Sequence, residues 1–193
     1  SIMSINDKKI NFNIGQIFKI DESIEYISIL HSKNINYENI ISLLVYDKYT
    51  EEIFNIDIID YDNVEDINLD IKILNDYVYI LYQDLNKIFI LKYEIGFEEL
   101  NLIDLTENFE DFYLTEFVKI NYCLYLHDKY VYFYYLKSQD YKNNLILYKI
   151  GNNLNTICDI EIDNISNNLY FFINNKNFSL IDFENGFYIN IDK

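Results

Sequence analysis

Polar and apolar residues alternate with period two along much of this chain. In Asp66–Lys72 (DINLDIK), Ile67, Leu69 and Ile71 fall on one face, with Asn68, Asp70 and Lys72 on the other. In Cys158–Asp163 (CDIEID), Cys158, Ile160 and Ile162 oppose three acids, and Asn11–Ile14 and Phe187–Ile191 alternate likewise. Successive side chains of a strand point to opposite faces, so this is the pattern of half-buried strands. Tyr77–Tyr82 (YVYILY), Ile88–Leu91 (IFIL) and Tyr130–Leu136 (YVYFYYL) are apolar at every position. Such runs suit strands covered on both sides.

Short polar breaks join these segments. Asn185-Gly186 reads as a two-residue type I′ hairpin turn, and Gln83–Lys87 and Asn174–Asn177 as slightly longer hairpin loops. With no Pro in the chain, turns depend on Asn, Asp and Gly, which tolerate positive φ. A weak internal repeat starts at Leu43, Tyr79, Tyr132 and Tyr170: an aromatic-aliphatic strand, a polar turn, then a second strand. Units of roughly 40 residues with three or four strands have the form of propeller blades, although no WD dipeptide or kelch Gly pair is present. Helix candidates are few. Thr106–Phe117 places Phe109, Phe112, Tyr113 and Phe117 on one helical stripe behind a capping Thr, and Asn39–Val45 is a weaker case. The expectation is one all-β, mainly antiparallel acidic domain over residues 1–193. It is built as propeller-like blades or a meander, or alternatively as a β-sandwich, with at most one or two short helices.

Composition sharpens this in one respect. The 35 Ile and 27 Asn, with no Ala, Arg, Pro or Trp, read as A/T-rich coding. Such coding also supplies Lys freely, yet 15 Lys stand against 32 Asp plus Glu, a net charge of -17. Codon bias therefore leaves the acidity unexplained. That charge repels nucleic acid and anionic membranes and favours a basic protein partner.

Catalytic equipment is sparse. The four Gly are isolated, which excludes a P-loop and a dinucleotide fingerprint, and the Lys are scattered among acids rather than forming a basic face. His31 and His127 both fall near expected strand ends, and His127-Asp128 reads as a turn. Cys123 and Cys158 read as buried thiols. Asp60–Asp70 (DYDNVEDINLD) gathers four Asp but lacks the Gly and Glu of an EF-hand loop, so a solvated acidic edge is expected there rather than calcium. Two carboxylates could serve a hydrolase, but with 32 acids some pair must lie at a suitable distance. No cofactor or metal is expected. No 18-residue apolar run suggests a membrane span, and the residues around Met3 lack the apolar core of a signal peptide, so a cytoplasmic location is expected.

Two acidic tracts stand out. Asp47–Asp70 holds nine carboxylates against Lys48 alone, and Glu94–Phe117 holds eight with no Lys and five aromatics. The expected partner-binding residues are Asp57, Asp60, Asp62, Glu65 and Asp66 in the first tract. In the second they are Glu98, Glu99, Glu107, Phe109, Glu110, Asp111, Phe112 and Tyr113. Carboxylates would steer a basic partner inward and rings would supply contact energy. The function expected is a non-enzymatic acidic binding protein that masks a basic, nucleic-acid-binding partner, as immunity proteins and anti-CRISPR-type phage inhibitors do. The rivals are a propeller-like scaffold module and a carboxylate-dependent hydrolase.

Overall fold

The structure is a computed structural model that describes residues 2–5, 8–84, 87–104, 121–127, 130–139, 142–150, 154–162, 169–173 and 177–192. Every described strand pairing is antiparallel. Two compact units divide the chain, Ser1–Asp111 and Phe112–Lys193.

The first unit opens with a hairpin, β1 (Ile2–Ile5) and β2 (Lys8–Asn11). Two four-stranded meanders follow. One is β3 (Ile17–Glu22), β4 (Tyr26–Ile35), β5 (Glu38–Asp47) and β6 (Ile53–Tyr61). The other is β7 (Asn68–Leu74), β8 (Tyr77–Gln83), β9 (Ile88–Glu94) and β10 (Leu100–Asp104). A 3₁₀ turn, Val64–Asp66, lies between them and is the only helical segment among the described residues. In the second unit β11 (Asn121–His127), β12 (Tyr130–Gln139), β13 (Lys142–Ile150) and β14 (Leu154–Ile162) form another meander. The three-stranded sheet of β15 (Leu169–Ile173), β16 (Asn177–Asp182) and β17 (Phe187–Asp192) completes it.

The meanders repeat with a phase the sequence pattern obscured. The second strand of each four-stranded sheet opens on Tyr: Tyr26, Tyr77 and Tyr130, spaced 51 (26 to 77) and 53 (77 to 130) residues apart. Leu43 lies on the third strand of its sheet, whereas Tyr79 and Tyr132 lie on the second, which is why spacings counted from Leu43 look irregular. Cys123 and Cys158 occupy the two edge strands of one sheet, in a row through Tyr134 and Leu147. Three strand spacings separate them by about 14 Å, far beyond disulfide reach.

In the first unit, the β3–β6 sheet is covered on both faces. On one face Leu30, Ile41, Leu43 and Val45 meet Ile71, Val78, Ile80, Phe89 and Leu91 of the second meander. On the other face Ile27, Ile29, Leu44 and Tyr46 lie beneath Phe12, with Ile10 and Ile14 beside it. The segment after β2 is therefore a strap rather than the strand its alternation suggested. The ladder stops at Asn11, yet Phe12 is buried while Asn11 and Asn13 face outward. Gly15 lets the strap close. A Cβ there would sit 2.3 Å from the Ser32 carbonyl oxygen, and Ser32 N–H donates to the Gln16 carbonyl at 2.8 Å.

Asn39–Val45 lies in strand β5, not a helix: Ile41, Leu43 and Val45 pack on one face of the sheet and Leu44 on the other. The Thr106–Phe117 helix candidate lies outside the described residues. Asn185-Gly186 sits in a hairpin as expected, but the loop has four residues, Phe183–Gly186, because Asp182 pairs with Phe187. Buried Asp182 imposes that length: its carboxylate accepts from the N–H groups of Glu184 and Asn185, each at 3.1 Å, leaving positive φ only at Gly186.

His31 is mid-strand in β4, not near a strand end, and is fully buried opposite Ser42. Its Nδ1 donates to the Ser32 carbonyl at 3.1 Å, and Nε2 has no partner. Burial holds its pKa below the usual 6.5, against the opposing effect of the Ser32 hydrogen bond. The unfolded chain therefore takes up a proton near pH 6.5 that the folded chain refuses until lower pH. Stability should fall as pH drops below about 6.5 and stop falling on this account once pH passes the lower folded-state value. Denaturation midpoints measured across that window should flatten in His31→Gln. Asp47 and Asp57, both held below the ordinary Asp value of 3.8, add their own loss only in more acidic solution.

Candidate functional site

The two meanders of the first unit share two ends. At one end lie the β4–β5 hairpin, the segment after β6 and the β8–β9 hairpin, and there the surface opens into an acidic cleft of about 400 Å³. Asp60, Tyr61, Asp62, Asn63, Asp66 and Ile67 form one wall. Asn63 starts the 3₁₀ turn, its side chain accepting from Glu65 N–H at 3.2 Å, and the turn holds Asp62, Glu65 and Asp66 outward. The other wall is Tyr82, Asp84 and Lys87. Tyr82 is buried and stacked on Phe89 at 4.6 Å between centroids, and its hydroxyl donates to Asp84 at 2.8 Å. Burial, and then that carboxylate, push the phenol well above its ordinary pKa, so it stays a neutral donor. Asp84 is committed to the hairpin as well, accepting from Lys87 N–H at 2.8 Å.

Asp60, Asp62, Glu65 and Asp66 differ. Among the described residues none of their carboxylates has a hydrogen-bond or ion-pair partner; the described ion pairs are Lys33–Asp57 and Lys48–Glu22. A second hollow of about 300 Å³ adjoins the cleft, bounded by Asp60–Asp62 and by Tyr37, Glu38 and Asn39. Asn36 and Tyr37 form a two-residue turn with φ of 52° and 72°, where Gly would be the comfortable second residue. Tyr37 is 98% exposed. A large ring thus stands at a strained position beside the unpaired acids.

The expected site residues divide. Asp60, Asp62, Glu65 and Asp66 come together at the cleft and its rim. A bulge helps: β6 carries one extra residue where Ile41 and Ser42 pair with Ile59 and Asp57, which puts Asp57 and Asp60 on one face despite their odd spacing. Asp57 is nonetheless spent locally, accepting from Lys33 at 2.9 Å and from Ser42 at 2.7 Å, and the Lys33 contact above all holds its pKa down. Glu98 and Glu99 are exposed beyond β9, at the opposite end of the sheets. Glu107, Phe109, Glu110, Asp111, Phe112 and Tyr113 lie outside the described residues. Sequence reasoning missed Tyr37, Tyr82 and Lys87. The signal for Tyr37 was Asn36 between two alternating runs, an Asn-led turn without its usual Gly.

Among the described residues no three acids, imidazoles or thiols converge to hold a metal ion, and no helix is long and apolar enough to cross a membrane. No protein-family model matches the chain, and no curated protein matches it.

Proposed function

We propose that the chain is a non-enzymatic acidic binding protein that docks on a basic, nucleic-acid-binding protein and masks the surface that phosphates would occupy. The observation that supports it is the cleft, where Asp60, Asp62 and Asp66 present carboxylates in no described ion pair, against the single Lys87 on the facing wall. Carboxylates outside any described ion pair offer charge-assisted acceptors to Lys and Arg, as a phosphate backbone does. The hydrogen bond from buried Tyr82 to Asp84 gives the facing wall a fixed shape. Immunity proteins and anti-defence inhibitors of the anti-CRISPR type are the functional classes in which such a surface works, in the cytoplasm of the producing or infected cell. The test is to recover the partner from that cell by affinity capture with salt-step elution, then to measure the partner's nucleic-acid binding. Added chain should abolish that binding at about 50 mM salt and lose this power towards 500 mM, as the screening length shortens several-fold. Unchanged nucleic-acid binding at low salt sinks the reading.

A scaffold reading has one observation in its favour, the recurrence of four-stranded meanders with Tyr opening each second strand. Propeller-like modules bind partners over loop surfaces without needing a salt-sensitive contact. A complex stable at 500 mM salt with a neutral or acidic partner would favour it.

A further inference from the structure

At the end of the first unit's sheets opposite the cleft, three loops carry large apolar residues in the open. Ile24 lies between β3 and β4 and is 83% exposed; Tyr49, between β5 and β6, is 71% exposed; Phe97, between β9 and β10, is 60% exposed. Loop tips ordinarily favour small polar residues, so solvation does not account for all three. The loops are also fastened to one another. Lys48 N–H donates to the Glu25 carbonyl at 2.8 Å, and Lys48 Nζ donates to the Ser23 carbonyl and pairs with Glu22. Asp47 accepts from the N–H groups of Tyr49 at 2.8 Å and Thr50 at 3.0 Å. Tyr26 hydroxyl donates to Asp76 at 3.0 Å, and Asp76 carbonyl accepts from Ile95 N–H at 2.8 Å, which anchors the loop bearing Phe97. A surface fixed in this way loses little conformational freedom on docking.

We infer that this end is a protein-docking surface, distinct from the cleft and independent of its function, for a basic amphipathic segment. Charge complementarity selects that occupant. Glu22, Glu25, Glu51, Glu52, Glu98 and Glu99 are all exposed within or next to the three loops that carry these apolar residues. Lys48, the only Lys in these loops, is already engaged. An apolar centre inside an acidic rim takes up a segment with apolar residues on one face and Lys or Arg flanking them, the rim steering and the centre binding. This also gives Glu98 and Glu99 a role that the cleft cannot.

The test uses two peptides of equal positive charge, an amphipathic leucine–lysine peptide and a glycine–lysine peptide. Fluorescence anisotropy at moderate salt should show the whole chain preferring the leucine–lysine peptide by about tenfold or more. The variant I24S/Y49S/F97S should lose that preference while keeping its affinity for the glycine–lysine peptide. Its circular dichroism and melting temperature should hold, because the replaced side chains are mostly in solvent. Tyr37→Ser, at the opposite end, should keep the preference. Retention of the preference in the triple variant, or its loss in Tyr37→Ser, overturns the inference whatever becomes of the cleft.

Discussion

Phe12→Ala is expected to cost about 3–5 kcal/mol of stability, a large share of the roughly 5–15 kcal/mol that holds a domain folded. Phe12 is 1% exposed and meets Tyr46 edge-on at 5.7 Å, over Ile27, Ile29 and Leu44. The strap that carries it lies outside the β1–β2 ladder and is fixed by this ring together with the hydrogen bonds between Gln16 and Ser32. Removing it opens a cavity above four apolar side chains and weakens the cover over buried His31 and Ser42 on the same sheet face. Gly15→Ala should act in the same direction by another route. Its Cβ would collide with the Ser32 carbonyl, and Ser32 cannot retreat because it is paired with Ile41 in β5. Asn13→Ala, on the outer side of the strap, should stay within about 0.5 kcal/mol of the native chain. Urea denaturation of the three variants checks the order. A loss below about 1 kcal/mol for Phe12→Ala would mean that the strap is not what closes this face.

The strands were legible because burial writes itself into spacing. Ile67, Leu69, Ile71 and Ile73 alternate since one face of β7 meets the core, and Tyr77–Tyr82 is apolar throughout since β8 is covered on both faces. The same logic misled at Asn39–Val45, where a strand buried on both faces loses its alternation and can be taken for a buried helix. The site was legible only as a tract. Composition marked Asp47–Asp70 as acidic, but which acids remain unpaired depends on partners distant in sequence. Lys33 and Ser42 take Asp57, and backbone N–H groups at the next turn take Asp47. A one-residue bulge then rotated Asp60 onto the face of Asp57, which no periodic reading allows. Tyr82 was hidden for the opposite reason: it resembles every other aromatic of an apolar run until its hydroxyl is seen to reach Asp84.

Reversing Asp60, Asp62 and Asp66 to Lys is expected to slow association with a cationic peptide such as decalysine by about 10- to 1000-fold at low salt, with a much smaller change in the dissociation rate. Three charges change sign, a shift of six units within one cleft, where low-dielectric walls concentrate the field. Because these carboxylates have no partner to lose among the described residues, the fold should be unaffected or slightly stabilised by relief of mutual repulsion. Net charge alone would also slow association, so the comparison that decides is a second variant with the same total charge. Reversing Asp159, Glu161 and Glu184, exposed in the second unit, changes the net charge equally while leaving the cleft intact. If attraction is focused by the cleft, stopped-flow rates should separate the two variants by at least about tenfold at 50 mM salt and converge near 500 mM. Equal slowing in both would assign the acidity to the surface as a whole and leave the cleft no special part in capture. Tyr37→Ala provides the complementary measurement. Tyr37 lines the adjoining hollow with Asp60–Asp62 and carries no charge, so its loss should leave association nearly unchanged and raise the dissociation rate a few-fold, through a lost cation–π contact with the bound lysine chain.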